Sequence, residues 1–275
     1  MTTKNYTKEE LFAVPELDHL GTCPVCLQSY GFDPDEDGDN KEFFATLPCC
    51  STPLCRTCCY SHGITCAKEG RPASCPFCRE PYNNKKSRMS VSEYKEALRQ
   101  KIDKRQGRDK HALRELANLY LNDDEQTAFV YHKKAAQLGN VGSMYDVSVM
   151  LRFGWGVTKD KHASKQYSLM ASIAGHPKAR AATGVTEIQE GNIEKGAKHL
   201  EIASAQGSTY AVEMLKKLYR SNCYSKSRLE NALRAHFNKR EQLKELKKYR
   251  EETEKKITEG WSVFRMPGYR VIAKN

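Results

Sequence analysis

The sequence predicts a two-part fold, in which a small α+β domain stabilised by bound metal ions is followed by an all-α helical-repeat solenoid. Ten of the eleven cysteines fall between residues 23 and 78, where they are paired rather than scattered. From residue 109 onward, alanine and aliphatic residues recur at helical spacing, in blocks that repeat after 36 and then 32 residues. The chain length of 275 residues suits one small and one larger domain.

The cysteine pairs have the spacing that is typical of a zinc-binding turn. Two residues between cysteines allow a tight turn to direct both thiolates at one metal ion, and structural zinc takes four such ligands in a closed tetrahedron. Three clean CxxC pairs and one vicinal pair therefore predict two zinc ions. The eight predicted ligands are Cys23, Cys26, Cys49, Cys50, Cys55, Cys58, Cys75 and Cys78.

Disulfide bonds and thiol redox chemistry are the other roles that clustered cysteines take. The N-terminal residues contain no apolar run long enough for a signal sequence. No stretch approaches the roughly 18 consecutive apolar residues of a membrane span. We therefore expect a cytoplasmic or nuclear protein, in which reduced and clustered cysteines bind metal. No strand–helix pattern surrounds any CxxC pair, as a thioredoxin-like redox site would require.

The order of the pairs resembles that of a RING finger over residues 20–82. Loops of 22 and 16 residues separate the first pair from the second and the third from the fourth. The resemblance implies interleaved sites, in which pairs one and three hold one zinc ion and pairs two and four hold the other. Few apolar residues lie in this region, so we expect the metal ions to supply much of its stability.

The sequence departs from the RING pattern at the second site. The usual histidine, two residues after the third cysteine, is replaced by Ser51 or Thr52, depending on the register. Either Cys49 and Cys50 both bind the metal, or one of them does and another donor completes the site. The alternative donors nearby are Cys59, His62 and Cys66.

Resemblance to RING fingers implies the activity of a ubiquitin ligase. Such a module has no nucleophile of its own. It binds a ubiquitin-conjugating enzyme that carries ubiquitin as a thioester and positions this thioester for reaction. Val25, Pro76 and Arg79 match the family's positions for contact with that enzyme, and a guanidinium at Arg79 can bridge carbonyls of two partners. Leu54 and Phe77 are expected in the small core of the finger, and the alternative is that they line the same contact groove.

The second half of the chain repeats a helical block that ends in glycine. The segments KKAAQLGN, LMASIAGH and EIASAQGS superpose on Gly139, Gly175 and Gly207. We expect each glycine to end a helix in the left-handed conformation that glycine adopts at little cost. A second helical series follows each glycine, which predicts stacked helix pairs.

This pattern, with the phrase FGWGVTKD at 153–160, resembles Sel1-like repeats, which are relatives of tetratricopeptide repeats. The resemblance covers about residues 109–222 and implies a concave surface that binds a protein substrate or adaptor. Trp155, in a loop between helices, is a candidate anchor for that partner. A scaffold that only spaces or stabilises the finger is the alternative role.

The remaining segments connect or flank these two domains. A Ser-x-x-Glu capping box at Ser90 and Glu93 predicts the start of a linker helix, which we expect to buttress the finger. The last residues are unexpectedly apolar and aromatic, as in a docking peptide or a segment that folds back on the repeats. The flanking segments are a polar lead-in at 1–19, the linker helix at 83–108, a charged and solvated helix at 223–258, and the C-terminal tail at 259–275.

The net charge of +11 would suit a nucleic-acid partner, but its distribution does not. The basic residues lie beside many glutamates instead of forming one stripe, and the C2H2 ligand spacing is absent. We therefore expect a RING-type ubiquitin ligase that binds two zinc ions, recruits a ubiquitin-conjugating enzyme and holds a protein on its repeats. A non-enzymatic zinc-binding interaction scaffold is the alternative.

Overall fold

The fold is predominantly helical. The computed structural model describes residues 6–13, 23–27, 44–46, 52–72, 74–77, 79, 90–259, 261–266 and 269–274. The strands are β1 (Phe44–Thr46), β2 (Pro53–Cys55), β3 (Trp261–Met266) and β4 (Tyr269–Lys274). The helices are α1 (Lys8–Phe12), α2 (Arg56–Lys68), α3 (Val91–Lys104), α4 (Lys110–Tyr120), α5 (Glu125–Gln137), α6 (Val141–Phe153), α7 (Lys161–Ile173), α8 (Pro177–Gln189), α9 (Ile193–Ala205), α10 (Thr209–Arg220) and α11 (Lys226–Thr258).

Helices α4 to α10 form the solenoid, in which each helix packs against the next one along the chain. Tight turns at the three repeated glycines connect consecutive helices. Gly139, Gly175 and Gly207 have φ angles of 82°, 93° and 99°, which confirms the predicted left-handed conformation. Side chains of Asp124, Asn140 and other polar residues accept hydrogen bonds from the first turns and so fix where these helices begin.

Small residues allow the repeat helices to approach each other closely. The core between α8, α9 and α10 contains buried alanines around Leu200 and Leu215. Gly184 and Gly196 face each other where α8 crosses α9, and a methyl group added at Gly196 would lie 2.5 Å from the Gly184 carbonyl oxygen. This contact therefore leaves no room for any side chain.

Substitution of Gly196 by alanine tests this close approach. We expect Gly196→Ala to lower the free energy of unfolding by about 1–3 kcal/mol, because the new methyl group must push α8 and α9 apart. Thermal unfolding followed by circular dichroism measures the effect. Gly63→Ala is the control, since this helical glycine has nothing within 4 Å of the added methyl group. Equal melting temperatures for Gly196→Ala and the unmodified protein would contradict the packing described.

The predicted capping box at the start of α3 is confirmed, but the packing of this helix differs from the prediction. The Ser90 hydroxyl accepts a hydrogen bond from the Glu93 N–H, and the Glu93 carboxylate accepts one from the Ser90 N–H. Leu98 and Ile102 pack into one cluster with residues of α4, such as Leu113. Helix α3 thus extends the solenoid core, where we had expected it to buttress the finger.

The long helix α11 connects the two halves of the molecule. It packs against α9 and α10 of the solenoid and also against α2. The sequence suggested a solvated helix, because its apolar stripe is thin. Beyond α11, strands β3 and β4 pair as an antiparallel hairpin, with Trp261 opposite Lys274, and β4 lies against α2. The apolar composition of this tail is compatible with a docking peptide or a folded-back segment, and it does not by itself predict the hairpin.

Buried polar groups lie between α8 and α9. His199 is fully buried, and burial together with the positive charges of Arg180 and Lys195 lowers its pKa to about 4. The unfolded chain, with a histidine pKa of about 6.5, binds this proton first as the pH falls. The stability associated with neutral His199 is therefore fully present above pH ~6.5 and is lost as the pH falls towards ~4.

This linkage predicts a pH-dependent stability that a single substitution removes. Between pH 7 and 4.5, we expect the free energy of unfolding of the unmodified protein to fall by up to about 2–3 kcal/mol more than that of His199→Gln. Denaturant unfolding at the two pH values measures the difference. His162→Gln, at an exposed histidine, is the control and should follow the unmodified protein. The assignment is wrong if His199→Gln shows the same pH dependence as this control.

Candidate metal centre

Four of the predicted ligands come together in one cluster. The sulfur atoms of Cys23, Cys26, Cys55 and Cys58 all lie within 4.8 Å of one another. The Sγ atoms of Cys26 and Cys55 are 3.7 Å apart. A tetrahedral zinc ion with Zn–S bonds of about 2.3 Å separates its sulfur ligands by about 3.8 Å. The donor set and its spacing therefore fit a structural zinc ion.

The local folds of both pairs direct their thiols into the cluster. Cys23 begins a tight turn in which the Leu27 N–H donates to the Cys23 carbonyl oxygen at 2.8 Å. Cys55 ends β2 and is also the N-cap of α2, so its Sγ accepts a hydrogen bond of 3.4 Å from the Cys58 N–H. The positive end of the helix dipole adds to this stabilisation of a thiolate. Cys58, in the first turn of α2, completes the cluster.

The thiols of the cluster differ in how readily they ionise. Burial opposes ionisation of Cys23, but backbone hydrogen bonds to its sulfur outweigh burial and lower its pKa to about 7. Burial, reinforced by the neighbouring thiols, raises the pKa of Cys55 to about 12 and raises the pKa of Cys58 as well. A divalent cation at the centre would offset this repulsion and allow all four thiolates to form.

The described residues at the fourth pair share two backbone features with the turn at the first pair. Both segments have the pattern CPxC, and the residue after the second cysteine, Leu27 or Arg79, has a φ angle of 59° in each case. The Arg79 N–H donates to the Cys75 carbonyl oxygen at 3.0 Å, as the Leu27 N–H does to Cys23. The backbone that flanks the fourth pair therefore matches that of the first pair at these two points.

The alternative donors to the second site lie on one side of α2. The His62 Nε2 atom is 3.5 Å from the Cys66 Sγ and 3.0 Å from the Ser74 carbonyl oxygen. Burial raises the pKa of the Cys59 thiol to about 12, and the neighbouring Cys75 thiol adds to this effect. Cys59 is thus close to the predicted second site, and the choice between these donors and the vicinal pair stays open.

The other predicted site residues are only partly within the described structure. Cys49, Cys50 and Cys78 lie outside the described residues. Leu54 is fully buried, as expected of a core residue. The Phe77 side chain is 41% exposed, which contradicts a place in the core and leaves the alternative that it lines the contact surface.

The predicted contact positions for a partner enzyme lie on the two cysteine turns, and two of the three are exposed. Val25 is 54% exposed at the tip of the first turn, and Arg79 is exposed directly after the second. Pro76 is half-buried within the second turn. Leu27, which the sequence analysis did not single out, is 74% exposed. Its position after a CxxC pair, equivalent to that of Arg79, is the signal that could have identified it.

On the solenoid, the predicted anchor Trp155 is exposed in the loop after α6. Its ring stacks on the exposed ring of Phe153, with the ring centroids 5.4 Å apart. The loop fits tightly, since Gly156 has a φ angle of 63° and an added methyl group would meet the backbone of Glu125 at 2.2 Å. The two aromatic rings therefore form a fixed apolar surface that suits contact with a protein.

Comparison with known proteins identifies the repeats. Residues 111–140, 141–176 and 183–208 match the Sel1 repeat family, so the solenoid is built of Sel1 repeats, which are typical of protein-interaction scaffolds. The matched residues all lie outside the cysteine-rich region. No curated protein matches the chain. Among the residues that the structure describes, no helix is both long and apolar enough to cross a membrane.

Two solved structures resemble the solenoid. A Sel1 repeat protein from Oxalobacter formigenes is 16% identical, with a TM-score of 0.46 over 53% of this chain and 65% of its own. A protective antigen of uropathogenic Escherichia coli strains, described as displaying an SLR fold, is 19% identical, with a TM-score of 0.48 over 54% of this chain and 34% of its own. The chain thus covers less than two thirds of either protein.

Removal of one thiol from the cluster should remove one metal ion. We expect the unmodified protein, purified with zinc, to contain two zinc ions per chain and Cys58→Ser to contain one, because three thiolates and a hydroxyl do not close a structural zinc site. Zinc release measured with a chromogenic chelator gives the stoichiometry. Cys223→Ser, at an exposed cysteine between α10 and α11, is the control and should retain both ions. Full zinc content in Cys58→Ser would contradict the assignment.

Proposed function

We propose that this protein is a RING-type ubiquitin ligase, in which the zinc-binding module recruits a ubiquitin-conjugating enzyme and the Sel1 repeats hold a protein substrate or adaptor. The observation that carries the proposal is the pairing of cysteines. The first CxxC pair meets the third, across 28 intervening residues that include the second pair. An interleaved order of this kind is what the resemblance to RING fingers implies, whereas simple zinc ribbons join neighbouring pairs.

The surface around the metal-binding turns supports recruitment of a partner enzyme. Val25, Leu27 and Phe77 expose apolar side chains at these two turns, although the module is small. Exposed apolar residues grouped on a small domain are typical of a protein-binding surface. Arg79 adds a cation with a fork of donors at the end of the second turn. Apolar contacts with one charged group among them suit a shallow interface between proteins.

Contacts between the module and the repeats support their action as one unit. Helix α2 of the module packs against α11, and α11 packs against α9 and α10 of the solenoid. A substrate held on the repeats would therefore lie at a limited distance from a conjugating enzyme bound at the turns. Such proximity raises the effective concentration of the reacting groups without any catalytic side chain of the ligase.

A non-enzymatic scaffold is the second candidate. It is favoured by the absence of the usual histidine ligand after Cys50 and by the family match, whose residues all lie in the repeats. In that case the zinc module would only contact other proteins, and its turns would bind without promoting ubiquitin transfer.

The role of Arg79 distinguishes the two candidates. We expect Arg79→Ala to slow ubiquitin discharge from a charged conjugating enzyme by about tenfold or more, since hydrogen bonds from a charged group contribute roughly 1.5–3 kcal/mol. Discharge and autoubiquitination are measured with a panel of conjugating enzymes, and zinc is quantified in the same samples. Arg71→Ala is the matched control, because Arg71 is exposed in the same module and pairs only with nearby Glu69 among the described residues.

One result would contradict the ligase, and another would contradict only the role of Arg79. One is two zinc ions per chain without discharge by any enzyme of the panel, which would leave the scaffold. The other is normal discharge by Arg79→Ala, which would remove the proposed role of this residue.

A further inference from the structure

The N-terminal segment of residues 7–13 is seated on the Sel1 repeats. It contains the short helix α1, which is closed at its start by a reciprocal capping box between Thr7 and Glu10. Helix α1 contacts α7 and α9 of the solenoid. The Phe12 ring packs at 5.1 Å from the His199 ring, and the Lys198 ammonium lies 5.5 Å from the Phe12 ring centroid. A five-residue helix is too short to be stable alone, so these contacts hold it in place.

The end of this segment is bound by a buried arginine. Arg180, on α8, has 0% exposure, and its Nη1 donates to the Leu11 carbonyl oxygen at 2.6 Å. Its Nη2 donates to the Ala13 carbonyl oxygen at 3.3 Å. These carbonyl groups lie at the C-terminal end of α1 and accept no hydrogen bond within the helix, so they carry the partial negative charge of its dipole. Among the described residues, no carboxylate pairs with Arg180.

Arg180 is also a departure from the repeat pattern. It lies five residues after Gly175, and the equivalent positions after Gly139 and Gly207 are Met144 and Val212. Met144 and Val212 pack in the apolar core of their repeats. A charged group is costly to bury at this position unless an anion or strong acceptors compensate it.

The pocket has donors that the N-terminal segment leaves unused. Nη1 of Arg180 also donates to the His199 Nδ1 at 3.4 Å, so the proton of the neutral imidazole is on Nε2. Both this Nε2 and the Arg180 Nε are buried without a hydrogen bond. Two neutral carbonyl groups therefore face a full positive charge and leave two donors unsatisfied. A carboxylate would match the pocket better, because it carries a full charge and can accept two parallel hydrogen bonds.

We propose that the Arg180–His199 pocket is a binding site for a partner segment in which an aromatic side chain is followed by a carboxylate, and that residues 7–13 occupy it as an internal, displaceable ligand. The aromatic ring takes the place of Phe12 against His199 and Lys198. The carboxylate takes the place of the Ala13 carbonyl beside Arg180. This inference specifies the partner of the Sel1 repeats and so rests on their proposed role as a scaffold.

A labelled peptide of residues 6–13 tests the site on the full-length protein. Phe12→Ala weakens the internal ligand and opens the pocket, so we expect this variant to bind the peptide at least tenfold more tightly than the unmodified protein does. In the unmodified chain the tethered segment competes at a high effective concentration. Fluorescence anisotropy gives both affinities. Equal affinities, or no binding to either protein, would overturn the proposal.

The chemistry of the pocket is tested with three peptides on the single variant Phe12→Ala. The peptide with a free C-terminal carboxylate at Ala13 should bind about tenfold more tightly than the same peptide with a terminal amide, because only the first places an anion beside Arg180. The peptide carrying Phe12→Ala itself should bind weakly. Equal binding of acid and amide would show that the pocket does not select a carboxylate and would overturn this part of the proposal.

A second substitution tests whether the peptide binds at Arg180. Phe12→Ala combined with Arg180→Gln should lose the preference for the acid over the amide, provided that circular dichroism shows a folded protein. Phe12→Ala combined with Lys198→Gln is a milder variant on the surface of α9 and should lower the affinity for the acid several-fold. If both variants still preferred the acid peptide over the amide to the same extent, the peptide would bind at a site other than Arg180. Ubiquitin discharge by the same preparations reports separately on the proposed function.

Discussion

Close packing between small residues of successive helices is the constraint on which the solenoid depends. Where Gly184 of α8 faces Gly196 of α9, the two backbones come nearer than any side chain would allow. The alanines of the neighbouring core extend this contact along both helices. Because α8 and α9 are held this closely, the pocket beside them has a defined shape. A buried arginine can be held there without collapse of the surrounding helices.

The cysteine-rich module relies on a different source of stability. Its described core consists of few apolar side chains, among them Leu54, Tyr60 and Ile64. Domains of this size rarely obtain enough stability from apolar burial alone, so a metal ion bound by four thiolates would contribute a large part of it. The turns that would close on the metal ion expose Val25 and Phe77.

The two halves are connected through elements at both ends of the chain. The segment before the module, residues 7–13, is seated on the repeats, while α2 of the module packs on α11 and on the C-terminal hairpin. A partner that displaced the N-terminal segment from Arg180 would release one of these two connections and leave the other.

The sequence by itself determined the features that depend on local spacing. The glycines that end repeat helices and the period of the repeats follow from short patterns with a direct geometric reason, whereas the meeting of the first and third cysteine pairs is what the resemblance to RING fingers implies. Tertiary structure alone decided the rest. Arg180 donates to a segment 167 residues earlier in the chain, and β4 packs against α2 of the cysteine-rich module. Such long-range contacts leave no periodic signal, because each is made once, between residues whose separation in sequence has no fixed value.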